Sequence, residues 1–119
     1  MQEKLQEIHE CFMELGILLS GIDLEEDLNN KLMIDKIEFA LKQTYKLYAE
    51  GLCEIEYVCE KCESNKNQLF KLLKMFKSCC EHKKIDPVSS VALVEFAYII
   101  PQVLSELKST YIQNLKVQR

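Results

Sequence analysis

Ile34, Ile37, Leu41, Thr44, Tyr48, Gly51, Ile55, Val58 and Cys62 recur at alternating steps of three and four. That spacing lines side chains along one face of an α-helix. The ladder spans 29 residues without a proline and predicts one helix from a cap at Asn30 to about Glu63, roughly 43 Å long at 1.5 Å per residue. Gly51 is its weak point, since Ala49, Glu50 and Gly51 also suit a helix end. The register stays in phase on both sides of the glycine, which favours continuity. A glycine on a buried seam then admits the close approach of a bulky neighbour.

Before this helix, Leu5, Ile8, Phe12, Leu15 and Leu19 form the apolar stripe of a helix over residues 2 to 19, with Glu3, Glu7, Glu10 and Glu14 on its wet side. Gly21 is the expected terminator, free to turn left-handed, and an acidic linker from Asp23 to Asn30 follows. Ser64 to Asn67 reads as a turn. A third helix over 66 to 82 is apolar around most of its circumference, leaving a strip of Lys71, Lys74 and Lys77. Asp86 and Pro87 form a start signal for a fourth helix, with the aspartate capping and the proline where its missing N–H costs nothing. The run Val91 to Ile100 is too short for a membrane span of about 20 residues. The pattern continues through Leu104, Leu107, Tyr111, Ile112 and Leu115, so Pro101 predicts a kink and not an end.

These elements predict an all-α, antiparallel four-helix bundle occupying residues 1 to 119 as one domain, with a long second helix and a proline-kinked fourth. Composition agrees: 48% of the residues are hydrophobic, with three glycines and two prolines. Charge is uneven. Residues 1–63 hold 15 acids and 6 lysines, whereas residues 64–119 hold 4 acids and 9 bases, within a net charge of −4. Mutual packing of the two halves explains this better than nucleic-acid binding, which favours a basic domain. The first residues carry no secretory pattern, so the expectation is a cytoplasmic or nuclear protein. A chain that starts within a helix also fits a piece of something longer.

Six cysteines invite three readings. Cys59, Cys62, Cys79, Cys80 and His82 have the residue types of a zinc site. A hairpin turning near Asn65 separates the first pair from the rest by about 20 Å, which argues against one ion. A redox C-x-x-C is expected after a strand, and here both thiols are placed on consecutive turns of one helix. The third reading makes the cysteines small apolar core residues. The same hairpin sets Cys53 level with Cys79 or Cys80.

No phosphate loop, nucleophile elbow or paired-carboxylate pocket occurs, and Glu95 stands alone in its apolar run. His9 and His82 lack the spacing of a carboxylate-bridged metal bundle. The expectation is a non-enzymatic interaction module without cofactor or small-molecule substrate, binding a protein partner or a second copy. The mismatched helix lengths leave apolar surface uncovered, and Phe70, Met75, Tyr98, Leu104, Leu107, Tyr111 and Ile112 are its candidate anchors. A zinc- or thiol-dependent regulatory domain, and a polyanion or acidic-lipid binder using the lysines of the third helix, are the alternatives.

Overall fold

The computed structural model describes residues 2–21 and 30–117. Four helices follow in order: α1 (Gln2–Ser20), α2 (Lys31–Cys53), α3 (Glu60–His82) and α4 (Pro87–Val117). Among the described residues there are no strands. Each helix packs on two others, α1 on α2 and α4, and α3 on α2 and α4, with α1 and α3 diagonal. The bundle measures 52 × 20 × 19 Å.

The apolar stripes meet in one core. Ile8, Phe12, Leu15 and Leu19 of α1 are buried with Ile34, Ile37, Leu41 and Tyr48 of α2, Leu69, Leu72 and Phe76 of α3, and Leu93, Phe96, Ile100, Val103 and Leu107 of α4. Phe12 joins three helices at mid-height. Its ring meets Tyr48 edge-on at 5.5 Å between centroids and Phe96 at 6.4 Å, arrangements that satisfy the ring quadrupoles.

Caps explain most boundaries. The Asn30 side chain accepts the Met33 N–H at 3.3 Å, and Asp86 accepts the Ser89 N–H at 2.7 Å with Pro87 as the first helical residue. α1 stops before Gly21 as the sequence implies, but no glycine takes a positive φ, so the left-handed ending expected there does not occur. Lys83 does take one, at φ 54°, closing α3 with N–H bonds from Lys83 and Lys84 to the carbonyls of Cys80 and Cys79. The acidic linker lies outside the described residues except for Asn30.

The long second helix is corrected. α2 ends at Cys53, six residues connect, and α3 begins at Glu60, so Ser64 to Asn67 lie inside a helix instead of forming a turn. The ladder still marks buried positions, since Ile34 through Gly51, Ile55 and Cys62 are all buried. A connection that turns Ile55 and Val58 inward keeps the count while the chain reverses direction. α2 and α3 are therefore equal in length, and the expected mismatch survives only for α4.

Pro101 sits exposed within α4 without ending it. The helix as a whole is long and apolar enough to cross a membrane by length and composition, a property the ten-residue run alone did not reveal. Here its seam of Leu93, Phe96, Ile100, Val103 and Leu107 fills the core shared with α1 and α3.

Candidate functional site

Two surfaces carry unusual chemistry, one at each end of the bundle. The first is where α2 connects to α3. Three side chains from the last turns of α4 reach across to it. Asn114 accepts the Tyr57 N–H at 2.9 Å and donates to the Tyr57 carbonyl at 2.7 Å, pairing with that backbone as a neighbouring strand would. Tyr111 donates its hydroxyl to the Gly51 carbonyl at 3.1 Å, one of the last-turn carbonyls a helix leaves unpaired. Burial pushes the Tyr111 phenol up to about 12, so it stays a donor. From α2, Tyr48 donates to the Cys62 carbonyl at 3.1 Å.

Thr110 completes the group between two sulfurs. Its hydroxyl donates to Cys59 Sγ at 3.1 Å and lies 3.2 Å from Cys62 Sγ. Cys59 is the N-cap of α3, and its Sγ accepts the Cys62 N–H at 3.3 Å. Cys59 is exposed and Cys62 is buried. Partial burial raises the Cys59 pKa, but hydrogen bonds from Thr110, Cys62 and the α3 backbone outweigh it and hold the thiol below its ordinary value. Burial pushes Cys62 up to about 11. The expectation of two thiols on consecutive turns within one helix is thus corrected: the pair opens a helix. A helix start favours a thiolate through its free N–H groups and dipole, with no strand required.

The other cysteines are elsewhere. Cys79, Cys80 and His82 end α3, some 17 residues or more beyond Cys62, about 25 Å along the axis. Cys53 ends α2 beside the connection, so it is not level with Cys79 or Cys80, and the hairpin register behind that expectation is refuted. Cys80 instead faces Glu38 and Asp35, and burial together with those carboxylates pushes it up to about 12. Among the described residues no three His, Cys, Asp or Glu side chains converge as a metal site.

The second surface is apolar and lies between α1 and α4 toward the opposite end. Met13, Gly16, Ile17, Ala97, Ile100 and Pro101 line an open groove of about 480 Å³. Ile17 is 72% exposed beside it, and Val91, Val94 and Tyr98 continue the face along α4, with Tyr98 83% exposed. Between Pro87 and Ser105 the only charged residue is Glu95. Glu95 is exposed, as are Glu10 and Glu14 on α1, so acids flank the strip.

The seven candidate anchors do not form one surface. Leu107 and Tyr111 are buried, 0% and 2% exposed, because α4 keeps its seam through Pro101 and remains packed to its end. Leu104 is half-buried in a second α1–α4 cleft with Leu5, His9 and Lys108. Phe70 packs on Tyr45 with centroids 5.3 Å apart, under the Lys74 ammonium at 4.8 Å. Met75 lies against Ala92 and Phe96 between α3 and α4. Tyr98 and Ile112 are exposed on α4, of which Tyr98 belongs to the apolar strip. Ile17, Met13 and Val94 are exposed apolar residues outside the seven anchors. Their signal is an apolar residue off the core stripe: Met13 and Ile17 are four apart and set to one side of Phe12 and Leu15. Comparison with family models, with curated proteins and with solved structures finds no match.

Proposed function

We propose that this chain is a non-enzymatic interaction module that docks an amphipathic helix of a partner protein along the α1–α4 strip. The observation that carries the reading is the exposure of Met13 and Ile17 in one apolar groove, with Val91, Val94 and Tyr98 exposed on the same stretch of α4 that supplies Ala97 and Pro101 to it. Contiguous apolar surface of this kind marks contact sites, and an exposed aromatic such as Tyr98 is a usual anchor. Glu10, Glu14 and Glu95 flank it, so the fitting helix carries apolar residues at steps of three and four and lysine or arginine at the sides. A symmetric pairing of two copies through the same strip would instead set these carboxylates against each other.

Selection from a displayed library of helical peptides tests the proposal. Enriched peptides are expected to show the apolar step with basic flanks and to lose at least tenfold in affinity for I17E and Y98E variants. Enrichment of sequences that bind both variants undiminished would overturn it. So would sedimentation showing a dimer of the chain alone that Y98E dissociates, which would assign the strip to a second copy.

A further inference from the structure

We infer that Cys59 and Cys62 form a redox-active dithiol that exchanges with an external disulfide, with Cys59 attacking, Cys62 resolving and Thr110 positioning both sulfurs. This goes beyond docking and uses the other end of the molecule. The pair meets the geometric requirements of the reaction. The attacking sulfur must be reachable, and Cys59 is exposed. Its negative charge must be held, and it caps α3, accepting from the Cys62 N–H at 3.3 Å and from the Thr110 hydroxyl at 3.1 Å. The resolving sulfur must be close but shielded, and Cys62 is buried with its Sγ 3.2 Å from the same hydroxyl.

The hydrogen bonds have one consistent direction. Thr110 has a single hydroxyl proton; donating it to Cys59 leaves its oxygen free to accept from the Cys62 thiol at 3.2 Å, in competition with the Glu106 carbonyl, which that thiol also reaches at 3.6 Å. This chain runs from the protonated sulfur to the charged one. The lowered pKa of Cys59 and the raised pKa of Cys62 match that order. Cys53, Cys11 and Cys80 have no comparable partner thiol at a helix start.

The reaction is an ordinary two-step exchange. Cys59 thiolate attacks one sulfur of R–S–S–R, forming Cys59–S–S–R and releasing RS⁻. Its negative charge is then gone, so Thr110 no longer donates to a thiolate. Cys62 gives up its proton, attacks Cys59 Sγ and expels the second RS⁻. The Cys62 proton and the proton that Cys59 released to water on ionising convert the two RS⁻ to two RSH, the cysteines are oxidised to one disulfide, and the external disulfide is reduced. Glu56 and Glu60 flank Cys59 in sequence and are exposed, which disfavours an anionic R group.

The test treats the fully reduced protein with bis(2-hydroxyethyl) disulfide, quenches with acid and maps adducts and bridges by mass spectrometry. Wild type is expected to lose two hydrogens, form the Cys59–Cys62 bridge and keep no adduct. C62S should trap the mercaptoethanol adduct on Cys59. Adducts on Cys53 as early as on Cys59, or a persistent adduct in wild type without a bridge, would overturn the assignment. Because Cys62 is in the core, a second measurement leaves it intact. Alkylation of Cys59 in wild type is expected to outpace that of Cys53, which is also exposed, on the order of tenfold at neutral pH. The Cys59 rate profile should move to higher pH in T110V and return in T110S. An unmoved profile in T110V would remove Thr110 from the mechanism, and a Cys59 rate equal to that of Cys53 would remove the dithiol.

Discussion

Gly16 lies within α1 and Gly51 in the last turn of α2, and alanine should act on them in opposite directions. Alanine favours a helix over glycine by about 1 kcal/mol. At Gly16 a new Cβ would meet only Ile100 Cδ1, at 3.5 Å, an ordinary contact, so Gly16→Ala should keep most of that gain. At Gly51 the Cβ would fall 2.5 Å from Ile8 Cδ1 and 2.8 Å from the Tyr111 hydroxyl. The isoleucine can rotate its terminal methyl at some cost, but the tyrosine is fixed by its own bond to the Gly51 carbonyl. Overpacking costs about 1–3 kcal/mol, and losing the buried hydrogen bond adds about 1 kcal/mol. Set against the propensity gain, Gly51→Ala should destabilise by about 1–3 kcal/mol, a fall of about 4 °C in Tm per kcal/mol for a domain of this size. Urea and thermal unfolding of the two single variants measure the difference directly. In a Tyr111→Phe background the hydroxyl is gone, so the cost of Gly51→Ala should shrink by about 1 kcal/mol. Equal or greater stability of Gly51→Ala relative to Gly16→Ala, or strict additivity with Tyr111→Phe, would refute the close-approach reasoning.

Lys83 holds φ 54° at the end of α3, so Lys83→Gly should stabilise by about 0.5–1 kcal/mol, read as a raised urea midpoint, while Lys83→Ala should give no such gain. Asp86→Ala should cost about 1 kcal/mol by removing the cap of α4. The Ser89 N–H, the Ser89 hydroxyl and the Cys79 thiol hold the Asp86 carboxyl below its ordinary value of 3.8. A depressed folded pKa contributes stability that is complete above the unfolded value and is lost as pH falls through the folded one. The stability advantage of wild type over Asp86→Asn should therefore shrink below about pH 3.8, and an advantage independent of pH would show that the charge is not what matters. Asn114→Leu leaves the Tyr57 backbone without its partner and should destabilise by about 1–3 kcal/mol, with the Tyr57 amide losing hydrogen-exchange protection before the helix interiors do.

Where structure follows from nearby residues, the sequence predicts it well. The α1 stripe needs only a 3.6-residue period, and Ile8, Phe12, Leu15 and Leu19 are all buried. Asn30 and Asp86 cap because their side chains reach an N–H three residues on, a purely local act. The role of Gly51 was also readable, since a residue without a side chain on a buried ladder implies a close neighbour. The exposed strip was less readable. Periodicity separates the core face from the rest, but cannot tell an uncovered flank from a covered one until the packing of α1 on α4 is known. Of the seven anchors, Tyr98 is exposed, whereas Leu107 and Tyr111 are buried because α4 stays packed beyond Pro101.

The break between α2 and α3 is the clearest case of structure decided at a distance. Residues 54–59 contain no glycine or proline, and their cap is a cysteine instead of the usual serine, threonine, asparagine or aspartate. Local chemistry therefore reads as continuous helix. What favours the reversal is the far end of the chain. Thr110, Tyr111 and Asn114 share one face of α4 and are buried at 5%, 2% and 1% exposure. Buried polar groups are costly unless bonded. Asn114 pairs with both backbone groups of Tyr57 in the connection, Thr110 meets the Cys59 and Cys62 sulfurs where α3 begins, and Tyr111 donates to the Gly51 carbonyl in the last turn of α2. A straight α2 would carry Tyr57 and Cys59 away from α4, removing the Tyr57 backbone from Asn114 and the Cys59 sulfur from Thr110. The same contacts that reverse the chain also place Cys59 at the start of α3, so the connection that sequence periodicity conceals is the one that creates the paired thiols.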